Sequence, residues 1–283
     1  MKLNFIPSLP LIPAILILAI LGCSASTRGK KDFVNKQTVE KNNRDTSTRY
    51  PCKFSFSLGS KICFLNCSKS TTEKAVFLSI HDDENTAVEA FNAIVNDCPD
   101  FTLMELNQNG DRLIRYGYNG NTYSIDPNRI FSKIGLLNSL KKYNATFPEQ
   151  VKNGFSNFAD EMLDKILPKS KTTYIIAAHN NGENNLSINT YKGSPEANEV
   201  YSNPSMDIDD FIYVTDQADF EYFRSKKYNV VLQANSIPDD GSLSVYCQKN
   251  NVPYINIEAQ DGHLEIQKKM IIDVYNLIKT KNQ

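Results

Sequence analysis

Histidine is scarce in this chain and net charge nearly absent: three His in 283 residues, and 31 Lys and Arg against 32 Asp and Glu. No basic stripe breaks the balance, which argues against a nucleic-acid partner, since phosphate recognition needs concentrated positive charge. No internal repeat is visible, so a stacked-repeat architecture is not expected. Long apolar runs are also missing. The run from Leu9 to Leu21 is interrupted by Pro10 and Pro13 and is too short for a comfortable membrane span. Cys63 and Cys67 have no matching second pair, which argues against a thiolate zinc site.

What is present at the start reads as an export signal. Lys2 supplies a minimal positive start, and the short apolar run ends in Ile20-Leu21-Gly22-Cys23-Ser24. That junction resembles a bacterial lipobox, which implies that Cys23 becomes the lipidated first residue of the mature protein. Ser24 after it favours the outer membrane by the same resemblance. An ordinary cleaved signal peptide is the plainer alternative. Residues 24–49 are polar, unable to bury enough surface to fold, and read as a flexible tether. Residues 50–283 are mixed in character and long enough for one domain with a sizeable core. Cys52, Cys63 and Cys67 lie close together, and an exported chain can oxidise them, but the spacing leaves their pairing open.

Within the domain, strand-like and helix-like stretches alternate. Lys53 to Asn66 reads as an edge strand or hairpin, Lys74 to Ile80 as a core strand, and Thr86 to Val95 as a helix. Phe101 to Leu106 and Arg112 to Tyr118 read as strands around the Asn-Gly turn at Asn109-Gly110. Two amphipathic helices follow, at Ser132 to Tyr143 and Phe147 to Ile166. Thr173 to Ala178, Phe211 to Val214, Asn229 to Leu232 and Pro253 to Ile257 read as further strands, and a last helix opens after Gly262-His263. Glu196 to Asp210 looks irregular, a piece of cleft wall or lid. The pattern predicts an α/β fold, a three-layer sandwich around a mixed, largely parallel sheet.

Two of the three histidines end apolar runs. His81 closes Val76 to Ile80 with Glu84 three positions on, and His179 closes Thr173 to Ala178. A third run ends in Glu258. The carboxyl ends of strands are where open α/β sheets hold their sites. Two His and one carboxylate are what a hydrolytic zinc site uses, so Zn2+ is expected on His81, Glu84 and His179. Glu258 is then a free carboxylate able to shuttle a proton. Asn128-Arg129, in Asp126-Pro-Asn-Arg-Ile-Phe131, offers amide donors and a guanidinium suited to a carboxylate or a developing oxyanion.

Taken in order, His81-x-x-Glu84, Asn128-Arg129, His179 and Glu258 resemble the zinc carboxypeptidase clan, which includes the aspartoacylase and succinylglutamate desuccinylase group. Asp126-Pro-Asn-Arg-Ile-Phe131 is similar to the Asp-Leu-Asn-Arg-x-Phe stretch of that group. The resemblance spans roughly Lys74 to Gln267. It implies zinc ligands at His81, Glu84 and His179, substrate-carboxylate binding by Asn128 and Arg129, and Glu258 as base. It also implies a further Arg that polarises the scissile carbonyl. Asn121 stands eight positions before Arg129; Arg112 and Arg115 lie nearby and are candidates if the register shifts, though each also reads as a solvated strand residue. Tyr201 and Tyr246 are candidates for a substrate-capping Tyr, though each also reads as a packing residue. His263, just behind Glu258, is a candidate substrate contact.

These readings lead to an exported, membrane-tethered zinc hydrolase of the bacterial cell envelope, releasing a terminal residue from a peptide. Deacylation of an N-acyl amino acid is an alternative in the same fold. A non-catalytic surface-binding lipoprotein is an alternative of another class. The expected partners are a peptide or N-acyl amino acid and, through a lipid anchor, the membrane.

Overall fold

A computed structural model describes residues 51–282, apart from 69 and 71. The export signal, Cys23 and the tether lie outside the described residues. In chain order the elements are β1 (Cys52–Leu58), β2 (Lys61–Cys67), β3 (Ala75–Ser79), α1 (Asn85–Ile94), β4 (Phe101–Asn107), β5 (Ile114–Tyr118), β6 (Asn121–Ile125), α2 (Lys133–Tyr143) and α3 (Glu149–Ile166). There follow β7 (Tyr174–Asn181), α4 (Ile188–Tyr191), β8 (Ala197–Tyr201), β9 (Phe211–Val214), α5 (Gln217–Ser225), β10 (Val230–Gln233), α6 (Leu243–Lys249), β11 (Tyr254–Gln260) and α7 (Leu264–Lys281).

Nine strands form one sheet in the order β1-β2-β4-β3-β7-β11-β9-β10-β8. The run β4-β3-β7-β11 is parallel, as is β9 with β10; the remaining pairs are antiparallel. The sheet is therefore mixed, parallel at its centre and antiparallel toward both edges. The central strands are buried on both faces, and β3 exposes none of its five residues, as parallel strands covered on both sides require.

Alternation along the strands separates two cores, the mark of three layers. Val76, Leu78, Ile175, Ala177 and Tyr254 pack with Phe155, Met162 and Leu243, so α2, α3 and α6 cover that face. Phe77, Ile176, Ala178, Ile255 and Ile257 pack with Phe91, Phe220 and Met270, so α1, α5 and α7 cover the other. With a side-chain period of two, His179 continues the face of Ile175 and Ala177, and Glu258 continues the face of Tyr254.

Several elements differ from expectation. Glu196 to Asp210 is not wholly irregular: β8 pairs antiparallel with β10 as an edge strand. Its residues are half-buried or exposed, so no apolar run marks it. β5 starts at Ile114, which leaves Arg112 in a loop, and it pairs with β6 in a separate two-stranded sheet. Cys52 and Cys67, register partners of β1 and β2, are joined by a disulfide. Cys63, Cys98 and Cys247 are buried and unpaired among the described residues.

Candidate functional site

Three neighbouring parallel strands, β3, β7 and β11, end beside one another and deliver the polar residues. His81 follows β3 with one residue between, and Glu84 holds the position just before α1. The Glu84 amide donates to the His81 carbonyl at 3.3 Å, a turn that folds the carboxylate back over the imidazole. Asn180 accepts from the Ala87 amide at 2.9 Å and so ties the first turn of α1 to the end of β7. His179 and Glu258 are register partners on β7 and β11.

The three expected ligands converge. Their candidate ligand atoms all lie within 4.8 Å of one another. His81 Nδ1 is 2.9 Å from Glu84 Oε1, His179 Nδ1 is 2.8 Å from Glu84 Oε2, and the two Nδ1 atoms are 3.2 Å apart. His81, Glu84 and His179 are 2%, 4% and 4% exposed. The far side of the His81 ring is settled by Asp126, whose Oδ1 lies 2.9 Å from Nε2. With Nε2–H donating to that carboxylate, the Nδ1 lone pair points at Glu84 and His179. Such a carboxylate behind a ligating imidazole orients it and raises its basicity. Two imidazole nitrogens and a carboxylate facing one small volume suit a divalent zinc ion.

Without a metal, protons must do the neutralising. Burial works to strip the charge from His81, but Glu84 and Asp126 win and push it up to about 9. Burial likewise works against an ionised Glu84, yet His179 and His81 hold it well below the usual carboxylate range. Glu258 behaves differently. Burial is the main influence, its pKa is raised, and nearby His179 only partly opposes that. A carboxylate raised in this way is suited to taking and returning a proton.

Arg112, read from the sequence as a solvated strand residue, is in the cleft. Its Nη1 donates to Glu84 Oε1 at 2.6 Å. Asp82 explains how it gets there: Oδ2 accepts from the amides of Gln108 and Gly110 at 2.6 and 2.7 Å, anchoring the turn that leads to Arg112. Arg115 points elsewhere, paired with Asp111 at 2.8 Å on the surface.

Asp126, Asn128 and Arg129 lie on one short 3-10 turn. Asp126 caps it by accepting from the Asn128 amide at 2.9 Å. Asn128 and Arg129 both line the cleft. Asn128 Oδ1 accepts from the Leu243 amide at 3.1 Å, and Arg129 Nε lies 3.5 Å from Asp240. The turn sits against Gly241, whose φ is +79° and where an added Cβ would come 2.6 Å from the Arg129 carbonyl oxygen. Only glycine gives both that backbone conformation and that approach.

The remaining sequence candidates are not brought to the cleft. His263 is absent from its lining; its Nδ1 bonds Asp210 at 3.0 Å, at the start of α7. Tyr246 packs near Phe131, and Tyr201 packs at the edge of the second core. The cleft, of about 570 Å³, is lined instead by Tyr191, Tyr213 and Tyr254. Sequence reasoning missed Tyr191 because it lies on a single helical turn, too short for periodicity to mark.

No protein-family model matches the chain, and no curated protein matches it. Solved structures do. Succinylglutamate desuccinylase from Vibrio parahaemolyticus is similar at 11% identity, over 81% of this chain and 77% of that one, with a TM-score of 0.42. A succinylglutamate desuccinylase/aspartoacylase from Rhodobacter sphaeroides is similar at 12% identity, over 80% and 65%, with a TM-score of 0.41. Murein-tripeptide amidase from Escherichia coli O157 is similar at 14% identity, over 81% and 92%, with a TM-score of 0.42. At these identities and TM-scores the likeness carries no argument for this chain, and the chemistry of the cleft stands on its own residues.

Proposed function

We propose that the chain is a zinc-dependent hydrolase that cleaves an amide bond next to a free carboxylate in a peptide or N-acyl amino acid. The observation that carries this reading is the convergence of His81 Nδ1, Glu84 and His179 Nδ1 within 4.8 Å, in a cleft that also holds Glu258. Zinc there would supply Lewis acidity, polarising water and the scissile carbonyl. The protein's residues divide the rest. Asp126 keeps His81 in the productive tautomer. Glu258 takes a proton from water and hands it to the leaving nitrogen. Arg112 brings positive charge to where an oxyanion develops, and Arg129, with Asn128, holds the carboxylate of the leaving residue.

The test pairs two variants of the purified domain. His179→Ala should lose most of its zinc, because two protein ligands rarely retain a catalytic ion. Glu258→Gln should keep zinc and fold while turnover falls on the order of a hundred- to ten-thousand-fold. Equal zinc in wild type and His179→Ala would overturn the ligand set. A zinc-loaded wild type inert toward every peptide and N-acyl amino acid would leave a binding protein as the better reading. Arg112 in the cleft weighs against that outcome, since it is one of the two arginines the sequence offered for the carbonyl-polarising role.

We further propose that the enzyme works at a bacterial cell envelope, most naturally the outer membrane, from a lipid on Cys23. Among the described residues no helix is long and apolar enough to cross a membrane. Cys23→Ala should then move the protein from the membrane fraction to the soluble one; retention after high-salt washing would refute the anchor.

A further inference from the structure

The cleft holds polar atoms that amide hydrolysis leaves unused. Most of its charged groups have partners: Glu84 with Arg112, Asp126 with His81, Arg129 with Asp240, Asp261 with the Thr86 hydroxyl. Glu196 also lines the cleft, and its carboxylate makes no hydrogen bond or ion pair among the described residues. At the floor, Asn256 lies two residues before Glu258 on the same face of β11. Its Nδ2 donates to Glu258 Oε1 at 3.0 Å. Its Oδ1 is buried and without a partner among the described residues, a state that native structures rarely leave unexplained.

These two acceptors belong to one wall. Asn256 is the register partner of Tyr213 on β9. The Tyr213 hydroxyl donates to the Glu196 carbonyl at 3.4 Å. Tyr191 leans on the Tyr213 ring at 5.3 Å between centroids, and its own hydroxyl has no hydrogen-bond partner among the described residues. Burial, with Glu258 and Glu196 nearby, raises the Tyr191 phenol and keeps it neutral, so its oxygen lone pairs stay available to a donor. The wall thus presents a carboxylate, a phenol oxygen and an amide carbonyl, with no unpaired cation among them. The Tyr213 side chain reaches from beside Asn256 to the Glu196 carbonyl, with the Tyr191 ring against it, a surface on which an aliphatic stem can rest.

The geometry points to an ammonium subsite: Glu196, Tyr191 and the Asn256 carbonyl receive the amino-bearing side chain of the leaving residue, a lysine-like or diamino acid whose carboxylate sits at Arg129. This specificity rests on the proposed hydrolase reading, and binding of the product amino acid allows the two to be judged separately.

The experiment uses zinc-loaded protein and titration calorimetry with lysine, norleucine and glutamate, each as both enantiomers, beside cleavage of N-acyl dipeptides ending in the same residues. Norleucine has the lysine stem without the ammonium. Lysine should bind about tenfold or more tightly than norleucine, the scale of a hydrogen-bonded charge pair, with glutamate weakest. Glu196→Gln should remove most of the lysine advantage, and Glu196→Lys should turn the preference toward glutamate. Glu196 is exposed, so neither variant threatens folding. Lysine and norleucine binding within twofold of each other, no measurable binding of any amino acid, or a lysine advantage that survives in Glu196→Gln would overturn the subsite. Selective lysine binding with no peptide cleaved would uphold the subsite and overturn the hydrolase.

Discussion

Replacing Asp126 by Asn tests whether the metal centre depends on the carboxylate behind it. Asp126 Oδ1 accepts from both His81 Nε2 and the Asn128 amide, each at 2.9 Å. Burial opposes its charge, yet the contact with His81 keeps the carboxyl well below the usual range. Asn can place an amide oxygen where Oδ1 now sits, so the turn cap and the shape survive while the negative charge is lost. His81 then becomes a poorer electron donor and a less firmly oriented one. Loss of such an outer partner costs roughly ten- to a hundredfold in metal affinity, about 1.4–2.7 kcal/mol. Asp126→Ala removes the cap as well, about 1 kcal/mol more of local stability, and frees the Asn128-Arg129 turn. Competition for zinc against a chromophoric chelator reads the affinities directly. The expected order is wild type, then Asn, then Ala, with His81→Ala weakest. Zinc affinity of Asp126→Asn within twofold of wild type, alongside a large loss in His81→Ala, would refute the reasoning.

Two further outcomes follow from the geometry. Arg129→Ala should raise KM for substrates with a free carboxylate and have much less effect once that group is amidated; parallel loss of kcat on both would assign the guanidinium to oxyanion stabilisation instead. In the metal-free protein His81 is raised from its ordinary 6.5 to about 9, so its contribution to stability is fully present below about pH 6.5 and is lost as pH rises through about 9. Zinc competes with that same proton, so its affinity should climb with pH over this window. Thermal unfolding with and without chelator should show the zinc-dependent gap widening from pH 6.5 to 9, and a gap that does not change would show that no such proton is displaced.

The sequence alone determined the local half of this site. Burying β3 and β7 on both faces demands apolar runs, and β11 is apolar up to Glu258 but for Asn256, so the polar residues that end them, His81, His179 and Glu258, were legible as strand-end groups. Asn128-Arg129 was legible as an anion-binding pair because that chemistry is carried by residue type alone. The alternation of strands and helices was legible for the same reason, since periodicity is a property of neighbours along the chain. What depends on distant segments meeting was decided by the tertiary structure. Sheet order placed three strand ends side by side and brought His179 to His81 across 98 positions. Asp82, by capturing a turn 26 residues away, carried Arg112 onto Glu84. Asp126 found the back of His81 across 45 positions, and a four-residue helix offered Tyr191 to the cleft wall. None of these contacts leaves a local pattern, because each is made by a polar side chain whose partner is chosen by packing and not by neighbours in sequence.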